Sequence, residues 1–278
     1  MTSRHVRVAA AQVAADVTHA PTTKRLLEAV RAAATEGAQL VVLPELAPSG
    51  YCFRDRQEAW AASEPLEGAT VTALRHASRE LSMTVVVGLA LREDDVLYNA
   101  AVALEDGDVL GVYRKSHLWS RETLFFTPGN ERPLVVATRW GVLAVAICYD
   151  LEFPEVVRAA AEAGADIVAV PVNWPVLDHP GDQAAIEVVK AQAVAAYYGV
   201  YVVVADRSGD ERGTRWVGGS CIIAPTGYLL AGPATPPGKP AREGLLLVDL
   251  DPHSARDKTL GPYNHRMRDR RDGLYTRW

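Results

Sequence analysis

Cysteine is scarce in this sequence, and the positions of the few cysteines exclude the usual cysteine-based scaffolds. Only Cys52, Cys148 and Cys221 occur in 278 residues, and no pair of them has the CxxC spacing of a zinc site. An odd number of widely separated cysteines also argues against a disulfide framework. We therefore expect reduced thiols, no structural metal and a cytoplasmic protein.

Long apolar runs and an excess of positive charge are also missing. No apolar stretch approaches the roughly 18 residues needed to cross a membrane, and the first residues lack the apolar core of a secretory signal. The 29 basic and 34 acidic residues are spread along the chain and leave a net charge of −5, which argues against nucleic-acid binding. We expect neither a nucleic acid nor a membrane as a partner.

The sequence does contain alternating strand and helix patterns within a globular composition, 49% hydrophobic and 23% charged. The predicted strands are residues 6–13, 39–43, 84–89, 97–104, 109–113, 134–137, 142–147, 166–170, 200–205, 219–224, 228–231 and 244–250, and the predicted helices are residues 22–35, 71–81, a helix from Pro154 and residues 184–198. Strand–helix units flank a hairpin region and no repeat or linker interrupts them, so we expect one α/β domain over residues 1–278. Its mixed sheets should stack and be flanked by helices.

One cysteine lies where a predicted strand gives way to a helix. Residues 142–147 are apolar and follow Gly141, the pattern of a strand buried on both faces. Pro154 suits the first position of a helix, and Glu155 suits its positive end. Cys148 is thus predicted to lie on a turn like a nucleophile elbow, where a base or cation would favour the thiolate. The alternative is a small buried hydrophobe.

Two further reactive side chains follow predicted strands. Glu45 follows the strand at 39–43, and Lys115 follows the strand at 109–113. Because ligands of such folds bind beyond the carboxyl ends of strands, both side chains could meet Cys148 in one pocket. A glutamate could accept the thiol proton, and a lysine could stabilise an oxyanion. Taken singly, the glutamate could instead be a cap and the lysine a solvated hairpin residue.

Three motifs together resemble one family. They are Leu43-Pro-Glu45 with Ser49-Gly-Tyr51, Tyr113-Arg-Lys115-Ser-His117-Leu, and Ile147-Cys148-Tyr149-Asp150-Leu-Glu-Phe-Pro-Glu155. This set, which spans nearly the whole chain, resembles the nitrilase superfamily of carbon–nitrogen hydrolases. The resemblance implies a four-layer αββα sandwich, a Glu45–Lys115–Cys148 triad, a second glutamate at Glu122 that holds the lysine, no metal or other cofactor, and a homodimer or higher homo-oligomer.

The resemblance also implies the reaction and the residues that bind the substrate. The Cys148 thiolate attacks an amide or nitrile carbon, Lys115 and the Tyr149 N–H stabilise the oxyanion, ammonia leaves and water hydrolyses the thioester. The predicted substrate-binding residues are Tyr51, Trp119, Tyr149, Asn173 and Trp174. Asn173 and Trp174 could instead form a turn and a packing contact. We expect Cys52 and Cys221 to be packing residues and His117 to be a hydrogen-bonding loop residue.

The substrate class is left more open. The motif at residues 148–155 is similar to that of amidases acting on short linear primary amides, and Asp178 and Asp182 favour a cationic tail, as in an ω-amino or ω-guanidino acid amide. If those acids are merely solvated, any small aliphatic amide would serve. A small aliphatic nitrilase, an N-carbamoyl amine amidohydrolase, an acyl transferase and a catalytically silent interaction module of the same fold remain as alternatives.

The carboxyl-terminal segment 256–278 is basic and aromatic and has no apolar core of its own. Its Tyr263, Tyr275 and Trp278 side chains are unfavourable in water. We therefore expect this tail to pack on a partner subunit.

Overall fold

Two β-sheets stacked face to face form the centre of the structure, a computed structural model that describes residues 5–15, 17, 22–177 and 183–275. The strands are β1 (Val6–Ala14), β2 (Leu40–Val42), β3 (Thr84–Glu93), β4 (Val96–Glu105), β5 (Asp108–Arg114), β6 (Leu134–Thr138), β7 (Gly141–Val145), β8 (Ile167–Pro171), β9 (Tyr201–Ala205), β10 (Arg207–Ser208), β11 (Asp210–Glu211), β12 (Thr214–Arg215), β13 (Cys221–Ile223), β14 (Leu229–Ala231) and β15 (Gly244–Leu250). The helices are α1 (Thr23–Thr35), α2 (Arg56–Ala61), α3 (Ala69–Leu81), α4 (Pro154–Glu162) and α5 (Ile186–Tyr198).

Both large sheets combine parallel and antiparallel pairs. In the first, β1, β2 and β3 are parallel neighbours, β3, β4 and β5 continue as an antiparallel meander, and β15 pairs antiparallel with β1. In the second, β7, β8 and β9 are parallel, while β6 and β13 pair antiparallel at either side and β14 follows β13. The prediction of mixed sheets is confirmed.

The alternation of side chains along the strands divides the core into layers. In β1, Val8 and Ala10 pack into the cluster shared with the second sheet, whereas Ala9 and Ala11 pack into the cluster shared with α1 and α3. Successive strand residues point to opposite faces, so a strand buried on both faces must be apolar throughout. Helices α4 and α5 cover the outer face of the second sheet. The layers are therefore helix, sheet, sheet and helix, the predicted αββα sandwich.

The structure differs from the sequence prediction mainly in short elements. The strand predicted at 142–147 ends at Val145, and a 3-10 helix, Cys148–Glu152, precedes α4. Helix α2 was not predicted because its six residues bury only Ala59 and so lack an apolar period. None of the helices in the described ranges combines the length and apolarity that a bilayer crossing requires.

Candidate active site

Cys148 is the first residue of the 3-10 helix that follows β7, and its backbone is unusual. Its φ is +44°, in the left-handed region that residues with a Cβ atom rarely adopt. The Asp150 carboxylate accepts a hydrogen bond from the Ile147 N–H at 3.0 Å and so closes the turn. Cys148 as a whole is 7% exposed and is therefore buried. A residue with positive φ in a sharp turn after a strand is the arrangement found in a nucleophile elbow.

Asp150 also links this turn to the opposite sheet. Its carboxylate accepts hydrogen bonds from the Tyr113 hydroxyl at 2.9 Å and from the His117 N–H at 3.1 Å, and His117 Nδ1 lies 2.8 Å from it. The His117 ring stacks on Phe153 with centroids 3.8 Å apart. His117 is thus a hydrogen-bonding loop residue, as predicted. The sequence offered no role for Asp150, because Tyr113 and His117, the partners that link it to the opposite sheet, lie more than 30 residues away.

Lys115 lies between two buried carboxylates. Its Nζ donates to Glu45 Oε1 at 2.7 Å and to both carboxylate oxygens of Glu122 at 2.9 Å. Burial disfavours the ammonium, but the carboxylates of Glu122 and Glu45 outweigh this effect and raise the pKa of Lys115 well above its ordinary value. Lys115 is therefore a fixed positive charge at the centre of the site.

The two carboxylate oxygens of Glu45 differ in their hydrogen bonds to the described residues. Its Oε1 accepts hydrogen bonds from Lys115 and, at 2.7 Å, from Asn99 Nδ2. No described residue donates to the buried Oε2. Burial raises the pKa of Glu45 to about 7, against the opposing effect of Lys115. A carboxylate with a free oxygen and a pKa near neutrality is suited to accept and return a proton.

Asn173 joins Glu45 to the nucleophile. Its Nδ2 donates to the backbone oxygen of Glu45 at 2.9 Å, and its own backbone oxygen lies 4.0 Å from Cys148 Sγ. Burial, together with the Glu45 charge, raises the pKa of the Cys148 thiol well above its ordinary value, although Lys115 opposes the shift. The cysteine therefore rests as a neutral thiol, and a base must remove its proton when it attacks.

A cavity of about 440 Å³ opens next to these residues. Tyr51, Trp119 and Glu122 all line it. The Tyr51 hydroxyl donates to Glu122 Oε1 at 2.5 Å, and the backbone N–H of Trp119 donates to Glu122 Oε2 at 3.2 Å. The Trp119 ring contacts that of Tyr149 at 4.8 Å between centroids. Tyr51 and Trp119 thus line the cavity, and Tyr149 contacts Trp119. Their role in substrate binding stays a prediction.

Trp174 has a different position from the other predicted binding residues. It is buried, packs against Gly219 and does not line the cavity. Its backbone N–H donates to the Asp206 carboxylate at 3.1 Å. Burial raises the pKa of Asp206 to about 7. The ring therefore makes the packing contact that was the alternative for this residue.

The remaining predicted residues are less central. Cys221 lies fully in the core, and Cys52 is half-buried at the cavity wall, where its thiol donates to Thr214 at 3.4 Å. Asp178 and Asp182 lie outside the described residues. Within the described ranges, no group of His, Cys, Asp and Glu side chains is arranged to hold a metal ion.

A buried ion pair that the sequence did not reveal supports the cavity wall. Arg207 donates to Glu211 at 2.8 Å, and the Glu211 carboxylate also accepts the N–H groups of Tyr51 and Cys52 at 3.0 and 3.2 Å. The Arg207 guanidinium lies 4.4 Å from the centre of the Trp216 ring. The pair thus fixes the segment whose Tyr51 hydroxyl holds Glu122. Opposite charges four residues apart are common on surfaces, so their burial could not be read from the spacing.

The fold and the buried Glu–Lys–Cys arrangement define a carbon–nitrogen hydrolase. The family model described as Carbon-nitrogen hydrolase matches residues 7–258, and the chain belongs to this family. It is thus an enzyme that hydrolyses carbon–nitrogen bonds of the amidase and nitrilase type.

Among its relatives, the chain is 35% identical over 250 residues to a nitrilase of Pyrococcus abyssi, covering 89% of this chain and 90% of that protein. It is 31% identical over 300 residues to the N-carbamoylputrescine amidase of Solanum lycopersicum, covering 98% of this chain and 94% of that protein. The structure is similar to that of the Nesterenkonia sp. AN1 amidase in complex with acrylamide, with a TM-score of 0.77 and 28% identity over 99% of this chain and 97% of that one.

Proposed function

We propose that this enzyme hydrolyses a short linear primary amide to a carboxylate and ammonia through a thioester on Cys148. The observation that supports the proposal most directly is the buried array of Glu45, Lys115 and Glu122 beside the thiol, in which Glu45 keeps one oxygen without a donor from the described residues. Such an array supplies a base and a fixed cation without further groups.

In the proposed reaction, Glu45 accepts the Cys148 proton as the sulfur attacks the amide carbon. Lys115 and the Tyr149 N–H stabilise the oxyanion that forms. The carbon–nitrogen bond then breaks, and Glu45 returns its proton to the departing ammonia. Water next attacks the thioester as Glu45 takes one of its protons. The carbon–sulfur bond then breaks and Glu45 passes that proton to the departing sulfur, which frees the acid and restores the thiol. Glu122 keeps Lys115 in position throughout.

Amide hydrolysis is favoured over two related reactions. The Nesterenkonia relative is an amidase, and a double mutant of it forms a complex with acrylamide. The names of the Pyrococcus and Solanum relatives keep nitriles and N-carbamoyl amines as alternatives. The prediction of an ω-amino or ω-guanidino tail depends on Asp178 and Asp182 and stays a prediction.

The test is ammonia release from butyramide, butyronitrile and N-carbamoylputrescine. We expect butyramide to be hydrolysed with a higher kcat/KM than the nitrile, because the site provides an acid that can protonate a departing amine. A nitrile or carbamoyl amine turned over faster than butyramide would assign the enzyme to the corresponding alternative. No ammonia from any of the three would refute hydrolysis and favour a silent module.

We further propose that the enzyme is a homo-oligomer that joins through α5 and the tail. Arg158 of α4 pairs with Asp272 at 2.7 Å, which holds the tail on its own chain, yet Tyr263 remains 89% exposed. On α5, Val189 and Tyr197 are also exposed. A partner chain that covered these apolar side chains would remove them from water, which supports an interface at α5 and the tail. Trp278 lies outside the described residues.

Light scattering at micromolar concentration should therefore give at least twice the chain mass. A double variant Val189→Asp, Tyr197→Glu should give the monomer mass, because charges in an apolar interface are costly to desolvate. The matched control is Leu124→Glu, an exposed apolar residue outside α5 and the tail, which should leave the mass unchanged. A monomer in the parent protein would contradict the proposal.

A further inference from the structure

The cavity beside the active site has an uneven distribution of charge. Its charged lining residues, among those described, are Arg54, Arg121, Arg212 and Glu122. Glu122 is buried and bound on both oxygens by Lys115. The three arginines therefore determine the charge that a substrate meets at this entrance.

Within the described part of the chain, these arginines form ion pairs with a single carboxylate, that of Glu58. Arg212 donates to both oxygens of Glu58 at 2.7 Å, and Arg54 Nε donates to the same group at 3.2 Å. The hydrogen bond from Arg212 lowers the pKa of Glu58 to about 2, so this carboxylate stays ionised. Glu211 also acts on Arg212, but it is paired with the buried Arg207. Glu58 alone therefore offsets the three guanidinium groups, which leaves a positive excess at the cavity wall.

Arg121 contributes most to this positive excess, because no carboxylate of the described residues neutralises its guanidinium. Its Nη2 donates to the backbone oxygen of Arg54 at 2.9 Å, and its guanidinium lies 5.6 Å from the centre of the Phe125 ring. It forms no ion pair with any residue in the described part of the chain. A guanidinium held by a carbonyl and an aromatic face keeps donors for a further acceptor, and its planar fork matches a carboxylate.

We propose that the substrate carries a carboxylate at the end remote from the amide, so that the enzyme acts on the monoamide of a short dicarboxylic acid. This inference rests on the proposed amidase function. The amide end lies at Cys148, and the carboxylate end lies in the cavity among the arginines. The aromatic side chains of Trp119 and Phe125 flank the methylene chain. The charge preference is opposite to the one expected from Asp178 and Asp182.

The experiment compares amides that differ chiefly in the charge of the tail: glutaramate, neutral 5-oxohexanamide and cationic 5-aminopentanamide, with succinamate and adipamate to vary the length. We expect kcat/KM for the best of the anionic amides to exceed that for 5-oxohexanamide by at least about tenfold, with 5-aminopentanamide lowest. The preference should fall as salt is added, because the charges near the entrance are partly exposed.

Arg121 variants separate charge from shape. In Arg121→Gln the ratio of kcat/KM for the anionic amide to that for 5-oxohexanamide should fall by about tenfold, and Arg121→Lys should restore part of it. The matched control is Arg31→Gln, an exposed arginine on the outer helix α1, which should leave the ratio unchanged. Thermal melting of each variant checks that it folds.

The outcomes distinguish the two proposals. If 5-oxohexanamide and butyramide are hydrolysed but the anionic amides show no advantage, or if Arg121→Gln keeps the full ratio, the carboxylate proposal is wrong and the amidase proposal stands. A preference for 5-aminopentanamide would restore the cationic prediction. If none of the amides yields ammonia, the amidase proposal itself fails, and the carboxylate proposal fails with it.

Discussion

Cys148→Ala is expected to reduce amide hydrolysis by at least about 10³-fold, because the thioester cannot form without the sulfur. The fold should survive, since alanine keeps the Cβ atom that the left-handed turn already accommodates and Asp150 still accepts the Ile147 N–H. The measurement is ammonia release from butyramide, with the melting temperature of the variant recorded in the same buffer. Turnover comparable to that of the parent enzyme would exclude Cys148 as the nucleophile.

Cys221→Ala is the matched control for that variant. Cys221 is fully buried in β13 and belongs to the core between the sheets and α5. Its truncation removes packing, so the free energy of unfolding should fall by about 1–2 kcal/mol, while kcat stays within about twofold of the parent value. If this variant lost activity without losing stability, the assignment of Cys221 to packing would be wrong.

Glu45→Gln is expected to lower kcat/KM by at least about 100-fold, the scale of a lost general base. The glutamine carbonyl can still accept hydrogen bonds from Lys115 and Asn99, so the variant tests the basic oxygen rather than the packing. The carboxamide nitrogen would take the place of Oε2, which has no donor among the described residues. Near-full turnover would remove Glu45 from the mechanism.

The pH dependence tests the same residue without mutation. Glu45 must be deprotonated to accept the thiol proton, and burial raises its pKa to about 7. In the parent enzyme kcat/KM should therefore fall by about tenfold for each pH unit below about 7. The residual activity of Glu45→Gln should lack this acid limb. An unchanged limb in the variant would show that another group titrates there.

Most of the fold could be predicted because the strands are buried on both faces. Such strands are continuous apolar runs, and β1, β2, β8 and β9 were found at their positions within a few residues. The unpredicted elements are short. Helix α2 and the strands β10, β11 and β12 cover two to six residues each, and their positions depend on contacts with distant segments rather than on a local period.

The reactive residues of the site could be predicted from the sequence, but most of the residues that hold them in position could not. Asn99 had a signal, since it is a polar residue within the otherwise apolar interior of β4, and it donates to Glu45. For Asp150 and Glu211, the neighbouring sequence gave no signal of a positioning role. Their partners include Tyr113 and Tyr51, which reach them only through folding. Such buried carboxylates show their roles only when the hydrogen bonds are known.

The sequence by itself determined the reactive groups, since Glu45, Lys115 and Cys148 each follow a strand whose apolar run can be recognised locally. Only the tertiary structure decided how they meet, because β2 and β5 belong to one sheet and β7 to the other. The pKa values of Glu45 and Cys148 depend on this arrangement, because burial and the neighbouring charges shift them. The arginine-lined entrance was likewise decided by folding, which brings Arg54, Arg121 and Arg212 from three separate segments of the chain to one cavity.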